Sequence, residues 1–400
     1  MVRRTRYLCG LGVSLAALLV AVVAFNLVVD PYGYVGAPRI PGLNALKPGP
    51  GSELVAVKRA ALARLAPDAL ILGNSRAEVG FDPEHPAWAT RGLEAYNAAI
   101  RGAGLEAAVR MLETARQTQE PEVVIVGLDF LDFLTAPDAA IRPFPNATSE
   151  SVIDRFQRWF GAVGTFGALR DSVRTIIAQH GRYPEIITDR GLNPLREYEG
   201  IARVEGYHAM FAQRAQENAR AYVRKPSGIF VDGTRSSPSL SIVEGLVERA
   251  RQRGTELHLV IYPYHAQILV MFEAAGLWPA FEQWKRRLAE IAAKGGPGIT
   301  LWDFSGFSDY TTEPIPGAGD TTTEVRWYWE AGHFKKALGD LVLERILLPG
   351  DTADAGNFGV RLMGANIDAH LRRISQDRDA FRTSNQAFVA DTEALVERAR

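Results

Sequence analysis

A serine, a glutamate and a histidine are the residues of this chain whose types and spacing could do covalent chemistry. Ser75 follows a short apolar run at residues 69–72 and a Gly-Asn turn, and Glu330 lies three residues before His333. A serine at the carboxyl end of a buried parallel strand holds its hydroxyl at the edge of the sheet where ligands bind. An acid one helical turn from a histidine can fix the tautomer of the imidazole while the imidazole takes the serine proton. The three residues predict an activated serine nucleophile.

Taken singly, each half of this pattern has a structural interpretation. Glycine, asparagine and a residue with a small hydroxyl often follow a strand only because they form the turn and cap the next helix. An acid and a base at helical spacing are more often a solvated pair. The order along the chain favours catalysis, because Ser75 follows the first predicted strand and His333 lies between the last predicted strand and the closing helix.

Apolar runs alternate with helical patterns along most of the chain, which is typical of βαβ units. The predicted strands lie near residues 69–72, 93–97, 123–127, 257–262 and 299–304. The predicted helices lie near residues 55–65, 105–119, 241–253, 279–294 and 335–347. The first, third and fourth strands are rich in Val, Ile and Leu with little alternation, as expected when helices cover both faces of a parallel sheet. The sequence therefore predicts a doubly wound α/β fold.

Composition bounds the possible functions. The 400 residues carry 45 basic and 46 acidic side chains, for a net charge of -1, so the overall field gives no reason to expect nucleic acid as a partner. Seven histidines show no metal-ligand spacing, and the chain has neither a Walker loop nor a GxGxxG motif. Its single cysteine, Cys9, excludes an intrachain disulfide. We expect no metal and no cofactor.

The N-terminus carries a candidate membrane anchor. Arg3, Arg4 and Arg6 precede an apolar run from Tyr7 to Val29. A bilayer needs roughly 20 apolar helical residues, and a basic flank stays in the cytoplasm. A signal peptide cleaved after residue 24 is the alternative, but the apolar run is longer than a usual signal. The sequence predicts a single-pass protein of the cytoplasmic membrane whose remaining chain is extracytoplasmic, on the periplasmic side.

The rest of the chain divides into four predicted parts. They are an extended Pro/Gly-rich linker at 30–54, an α/β domain at 55–348, a helical insertion within it at about 135–240, and a C-terminal helical extension at 349–400. The insertion has aromatic, Arg-rich helical patterns at 151–161 and 202–222 and is too long for a connecting loop. It either forms one wall of a substrate groove or is a peripheral helical segment with no role in the site. We expect no chemistry in the C-terminal extension.

These motifs resemble those of the SGNH hydrolase superfamily, also called GDSL-type esterases. The resemblance extends to its membrane-tethered branch, which includes alginate-type O-acetyltransferases and proteins that D-alanylate teichoic acids. In that family a Gly-x-Ser motif after the first strand carries the nucleophile, and an acid-x-x-His near the C-terminus supplies the other two triad members. The resemblance implies a flavodoxin-like sheet, Ser75 as nucleophile, His333 as general base and Glu330 as the residue that orients it.

The family's second and third motifs supply the donors that stabilise the oxyanion. By resemblance, the stretch from Tyr96 to Gly104 matches the second motif, with Gly102 as amide donor and Asn97 as a further candidate for oxyanion or substrate binding. The third motif, Gly-x-Asn-Asp, reads Gly-Leu-Asp-Phe here, so Asp129 replaces the asparagine donor. An ionised carboxylate would repel an oxyanion, so Asp129 must be protonated, point elsewhere, or bind a substrate hydroxyl.

Arg76 follows the predicted nucleophile and has several possible roles. It could cap the helix, bind an anionic group of the substrate, or pair with Glu78 or Asp82. The sequence leaves these roles open, and Arg76 stays a candidate substrate-binding residue.

The resemblance implies acyl transfer on ester-linked acyl groups of a cell-surface polysaccharide, with a membrane-bound acyl donor as a possible partner. Three other functions stay open. A lipid esterase needs an apolar tunnel, which aromatic residues such as Trp159, Phe160 and Phe166 could supply. A non-catalytic accessory module of a polysaccharide assembly complex is favoured by the carboxylate at Asp129 and by the anchor. A tethered binding protein without chemistry predicts that Ser75 and His333 lie far apart.

Overall fold

A six-stranded, mostly parallel sheet organises the chain in the computed structural model, which describes residues 2–142, 144, 159–161, 163–348 and 358–400. The strands are β1 Ala69–Leu72, β2 Ala95–Asn97, β3 Val123–Leu128, β4 Glu256–Ile261, β5 Ile299–Asp303, β6 Tyr328–Glu330, β7 His333–Phe334 and β8 Val360–Arg361. The sheet order is β2-β1-β3-β4-β5-β8, while β6 and β7 form a separate hairpin. Only β8 runs antiparallel to its neighbour in the large sheet. The predicted α/β class with a parallel sheet is confirmed.

Helices connect the parallel strands and extend the chain at both ends. The helices of the described residues are α1 Val2–Val29, α2 Leu54–Leu65, α3 Ser75–Gly80, α4 Pro86–Thr90, α5 Leu105–Arg116, α6 Phe166–Ala178, α7 Arg196–Tyr222, α8 Pro238–Arg253, α9 Ala266–Ala274, α10 Trp278–Ala293, α11 Lys336–Leu347, α12 Ile367–Ser384 and α13 Gln386–Ala399. Of the helical pattern expected at 151–161, residues 151–158 lie outside the described ranges.

The core runs through the centre of the sheet. All four residues of β1 and all six of β3 are buried, and Ile71 of β1 pairs with Ile125 of β3. Aliphatic side chains on both faces of these strands remove apolar surface from water, which is the main favourable contribution to folding. The centre of the sheet is therefore a rigid support for the loops at its carboxyl edge.

The segment 30–54 differs from its prediction. It folds against the domain instead of extending as a linker: Pro48 forms a bridge with Ile186, and the amide of Gly49 donates to Glu185 O at 3.1 Å. Lys47 is buried and donates to the carbonyl of Val29 at 3.0 Å. These contacts join the end of α1 to the domain.

The two ends of the chain have clear structures. The part of α1 from Arg4 to Val29 is long and apolar enough to cross a membrane, a property that signal sequences share. The C-terminal segment forms the helices α12 and α13, while residues 349–357 lie outside the described ranges. The extension also contributes β8, which the sequence analysis did not predict because a strand of two residues has no periodicity to detect.

Candidate active site

Ser75 lies where β1 ends and α3 begins. Asn74 caps α3, because its side-chain oxygen accepts from the amide of Arg76 at 3.0 Å. Gly73 has a φ of 146°, and a Cβ there would meet the hydroxyl of Tyr262, so only glycine fits this turn. The chain leaves β1 for β2 on one side while β3 lies on the other, and ligands of open α/β sheets bind at such a switch point.

Ser75, His333 and Glu330 form one hydrogen-bonded chain. His333 Nε2 lies 2.8 Å from Ser75 Oγ, and His333 Nδ1 contacts Glu330 Oε1. This is the geometry in which the histidine can take the serine proton while the carboxylate holds the tautomer. The structure thus brings together the three residues that the sequence singled out.

The local structure around His333 differs from the prediction of one helical turn. Glu330 ends β6 and His333 begins β7, so a tight β-hairpin turn at residues 331 and 332 brings the two side chains together. The sequence spacing of three fits both arrangements. The hairpin also supplies a backbone donor, since the amide of Gly332 donates to Glu330 Oε2 at 2.7 Å.

The surroundings of Glu330 favour its ionised form. It is 1% exposed, and burial alone would raise its pKa. The interaction with His333, the Gly332 amide and the charge of Arg214 outweigh burial and bring the pKa of Glu330 below its usual value. A charged Glu330 can hold the tautomer of the adjacent imidazole in which Nε2 is free to accept from Ser75.

Asp129 is turned toward Arg76. Its Oδ2 forms an ion pair with the Arg76 guanidinium and accepts from Asn74 Nδ2 at 2.9 Å. Its Oδ1 accepts from the Tyr264 hydroxyl at 3.1 Å and from the Leu131 amide at 3.3 Å. Of the sequence alternatives for Arg76, pairing with Glu78 or Asp82 is therefore wrong. The carboxylate at the third motif is neutralised by this guanidinium.

Arg76 keeps its charge in a largely buried position. Burial opposes that charge, but the carboxylate of Asp129 outweighs it and raises the pKa of Arg76. The guanidinium also lies over the ring of Tyr264, 5.4 Å from its centroid, an additional favourable contact. Since Arg76 also lines the cavity at Ser75, its positive charge is part of the site's electrostatic field.

The two candidates of the second motif have different environments. Asn97 is fully buried, and its amide donates to the carbonyls of Ala77 and Phe81 at 2.8 Å each, so its side chain joins β2 to α3 and does not line the cavity at Ser75. The expected substrate contact of Asn97 is not supported. Gly102 lines the same cavity as Ser75 and has a φ of 69°, a conformation that favours glycine.

A buried charge cluster holds the Gly102 loop beside α3, the helix that begins at Ser75. Lys58 is fully buried, donates to Ala99 O at 2.7 Å and lies 3.2 Å from Glu78 of α3. Arg101 lies 3.3 Å from the same carboxylate. Burial lowers the pKa of Lys58, and Glu78 counteracts it. The cluster joins α2, α3 and the loop, so it positions Ser75 relative to Gly102.

An open cavity of about 310 Å³ surrounds the serine and the histidine. Its walls include Ser75, Arg76, Gly102, Asp129, Asp132, Arg214, Glu217, Asn218, Tyr222, Glu330 and His333. The side chains from α7 show that the insertion contributes a wall of the site. The sequence analysis missed Arg214, Glu217 and Asn218, because their helical spacing marks a face of α7 without indicating what that face covers.

Asp132 is a further residue that the sequence analysis missed. It follows Asp129 by one turn of a 3-10 helix, Phe130–Asp132, and lines the cavity. Burial, and then the charge of Asp129, raise the pKa of Asp132 to about 7, against the opposing charges of Arg76 and Lys225. A carboxyl group with this pKa can donate a hydrogen bond near neutral pH.

The described ranges contain no cluster of three or more His, Cys, Asp or Glu side chains that could hold a metal ion.

Comparison with known proteins gives no relative for the chain, since no protein-family model, no curated protein and no solved structure matches it. Interpretation of the site therefore depends on its own geometry and on the motif resemblance.

Proposed function

We propose that this chain is a membrane-tethered, extracytoplasmic serine acyl esterase or O-acyltransferase of the SGNH type, acting on acyl esters of a cell-surface polysaccharide. The observation that carries the proposal is the hydrogen-bonded chain from Ser75 Oγ through His333 to Glu330, at the switch point of a parallel sheet. A tethered binding protein without chemistry predicts a wide separation of Ser75 and His333, which this geometry contradicts.

The first half-reaction forms an acyl-enzyme. The Ser75 oxygen bonds to the acyl carbonyl carbon while its proton moves to His333 Nε2, and the carbonyl π electrons move to the oxygen. The tetrahedral adduct collapses, the ester C–O bond breaks, and His333 returns the proton to the departing alcohol. Glu330 stabilises the intervening imidazolium, consistent with its lowered pKa.

The second half-reaction uses the same groups in reverse. His333 takes a proton from an incoming hydroxyl, whose oxygen bonds to the acyl carbon, and Ser75 leaves with the proton from His333. If the hydroxyl belongs to water, the product is a free acid; if it belongs to a sugar, the acyl group is transferred. A membrane-bound partner that supplies acyl groups is the natural source for the transfer reaction.

The oxyanion needs donors other than the missing asparagine. We assign Gly102 the amide role, because it lines the same cavity as Ser75 and its loop is held beside α3 by the Lys58 cluster. Asp129 does not oppose the oxyanion as a free carboxylate, since its charge is compensated by Arg76.

The walls of the cavity favour a hydroxyl-rich substrate over a lipid. Arg214, Glu217, Asn218 and Asp132 give the site charged and amide groups suited to sugar hydroxyls. The aromatic side chains that could have formed a lipid tunnel do not line it: Phe166, for example, is 82% exposed. A polysaccharide ester is the substrate class that fits these contacts.

The experiment that tests the proposal measures hydrolysis of 4-nitrophenyl acetate by the purified full chain. Ser75→Ala and His333→Ala should each lower kcat/KM by at least about 100-fold, because the members of a triad act as a unit. Glu330→Gln should lose less than either variant. A fluorophosphonate probe should label the parent protein on Ser75.

Ser375→Ala is the matched control, since this serine lies on α12, where it donates to Glu282. It should keep full activity, and every variant should melt like the parent. Equal turnover by Ser75→Ala and the parent would exclude Ser75 as nucleophile.

The second candidate function, a non-catalytic accessory module, is favoured by the asparagine missing from the third motif. It predicts no turnover, no labelling, and normal complementation in cells by Ser75→Ala.

A further inference from the structure

Three of the five large apolar side chains of the helix α6 lie on the outside, while Leu169 and Ile176 are half-buried. Phe166, Val173 and Ile177 are 82%, 45% and 65% exposed. At 3.6 residues per turn the three side chains fall within an arc of about 40°. The side chains that α6 buries are small ones, from Ala168, Ser172 and Thr175. A helix on a water-exposed surface normally has the opposite arrangement, with its large apolar residues inward.

The buried face of α6 packs against the end of the candidate span. Asn26 of α1 is fully buried, donates to Val163 O and accepts from Ser172 Oγ, both at 2.8 Å. Tyr32, just after the span, donates to Asp171 Oδ2 of α6 at 2.6 Å. These hydrogen bonds fix α6 at the level where α1 ends.

The length of α1 places this level at a membrane surface. Large side chains from Tyr7 to Val20 are exposed, whereas the last two turns of α1 pack on the domain. A span of about 20 residues, roughly 30 Å, that begins at Tyr7 ends near Asn26. The contacts of Asn26 with α6 therefore lie at the boundary between hydrocarbon and headgroups.

The charges and aromatic residues around the apolar face fit this boundary. Arg170 and Arg174 lie beside it with side chains 65% and 66% exposed, and one acid, Asp171, lies within 4 Å of both. Trp159 and Phe160, shortly before α6, are 43% and 42% exposed. Aromatic rings and cations are the side chains that interfacial segments use toward headgroups.

We propose that α6 is an interfacial helix: its face of Phe166, Val173 and Ile177 lies in the leaflet where α1 ends, with Arg170 and Arg174 at the lipid phosphates. The partner is the bilayer that α1 spans, so the domain contacts the membrane at two points and has a fixed orientation on it. This inference depends on α1 as a span and is independent of the proposed acyl transfer.

The test measures the depth of spin labels in the full chain. On a Cys9→Ser background, single cysteines replace Phe166 or Ile177, carry a nitroxide, and are reconstituted in vesicles of phosphatidylcholine and phosphatidylglycerol. Collision with oxygen, which partitions into lipid, is compared with collision with a water-soluble nickel chelate. The ratio of oxygen to nickel collisions should be several-fold higher at both positions than at a control label on Met363.

Two controls make the result decisive. Met363 is 50% exposed and follows β8, the strand at one edge of the sheet. The segment that pairs with residues 48 and 49 runs beside β2, at the opposite edge. A label at Leu15, in the middle of α1, reports whether the span is inserted. Labels at Phe166 and Ile177 that collide mainly with nickel while Leu15 is in lipid overturn the proposal. A water-accessible label at Leu15 also overturns the proposal. Labels at Phe166 and Ile177 that are shielded from both reagents, but lose this shielding when the protein is diluted in lipid, overturn it as well, because they would indicate a second copy on this face.

Discussion

Asp129 and Arg76 show how one departure from a motif can be compensated elsewhere in the chain. Asp129 stands where the motif that the sequence resembles has an asparagine, and Arg76 follows Ser75; in the structure each compensates the charge of the other. The sequence could show that Asp129 was unusual, but not that its partner was Arg76. The two residues are 53 positions apart, and only the pairing of β1 with β3 brings them together.

The first prediction concerns this ion pair. Asp129→Asn should destabilise the folded protein by about 3 to 5 kcal/mol, because it leaves the buried Arg76 charge without its partner. The midpoint of urea unfolding measures the effect. Simple ester hydrolysis should not increase, because the native carboxylate is already neutralised.

Removal of both charges is the control for this prediction. The double variant Arg76→Met with Asp129→Asn should be more stable than Asp129→Asn alone, since no uncompensated charge remains. A single Asp129→Asn variant as stable as the parent would show that the pair contributes nothing to folding.

The second prediction concerns Asp132, whose folded pKa is raised to about 7. The unfolded carboxyl titrates near 4, so between about pH 4 and pH 7 ionisation favours the unfolded chain. This destabilisation grows as the pH rises to 7 and is constant above it. The Asp132→Asn variant lacks this destabilisation. The free energy of unfolding of the variant minus that of the parent should therefore be about 1 to 3 kcal/mol larger at pH 8 than at pH 4. Urea unfolding at the two pH values measures the difference, and a pH-independent difference would contradict the raised pKa.

At the scale of elements, the strands that carry Ser75 were the easiest to predict. Short runs of buried aliphatic residues bounded by turn signals gave β1 its observed limits and most of β3, because burial on both faces leaves a clear sequence pattern. The pattern failed where tertiary contacts decide. The segment 30–54 has the composition of a linker, yet it is held by partners more than a hundred residues away.

The third prediction tests how closely α3, the helix that begins at Ser75, packs against α11. A Cβ on Gly339 of α11 would overlap the carbonyl oxygen of Gly80, at the end of α3. Gly339→Ala must push α3 away from α11 and from the adjacent β7 that carries His333, so it should lower both stability and kcat. Thermal melting and the ester assay measure the two effects.

Gly167→Ala is the matched control, because Gly167 is also helical and a Cβ there meets only Thr165 Oγ1 at 3.6 Å. Alanine is the better helix former, so this variant should be neutral or more stable by up to about 1 kcal/mol. Similar losses in both variants would show that the Gly339 contact has no special role.

At the scale of the whole molecule, α1 and the domain form one unit. Asn26 and Lys47 are buried polar groups at the end of α1, and both are satisfied by contacts with the rest of the chain. From composition the sequence predicted a span followed by an extended linker. It could not predict this junction, because hydrogen bonds between distant segments leave no local pattern.

The last prediction concerns the orientation of the chain in the membrane. Arg3, Arg4 and Arg6 precede the apolar run, and basic flanks stay in the cytoplasm, so a reporter that is active only outside the cytoplasm should be active when fused after Arg400. Replacing the three arginines by glutamate should reduce this activity, because it removes the charge bias that sets orientation. Arg398→Glu, far from the span in sequence, is the control and should leave the activity unchanged. An inactive reporter, with a cytoplasmic reporter active at the same position, would place the Ser75 cavity on the cytoplasmic side and exclude a cell-surface polysaccharide as its substrate.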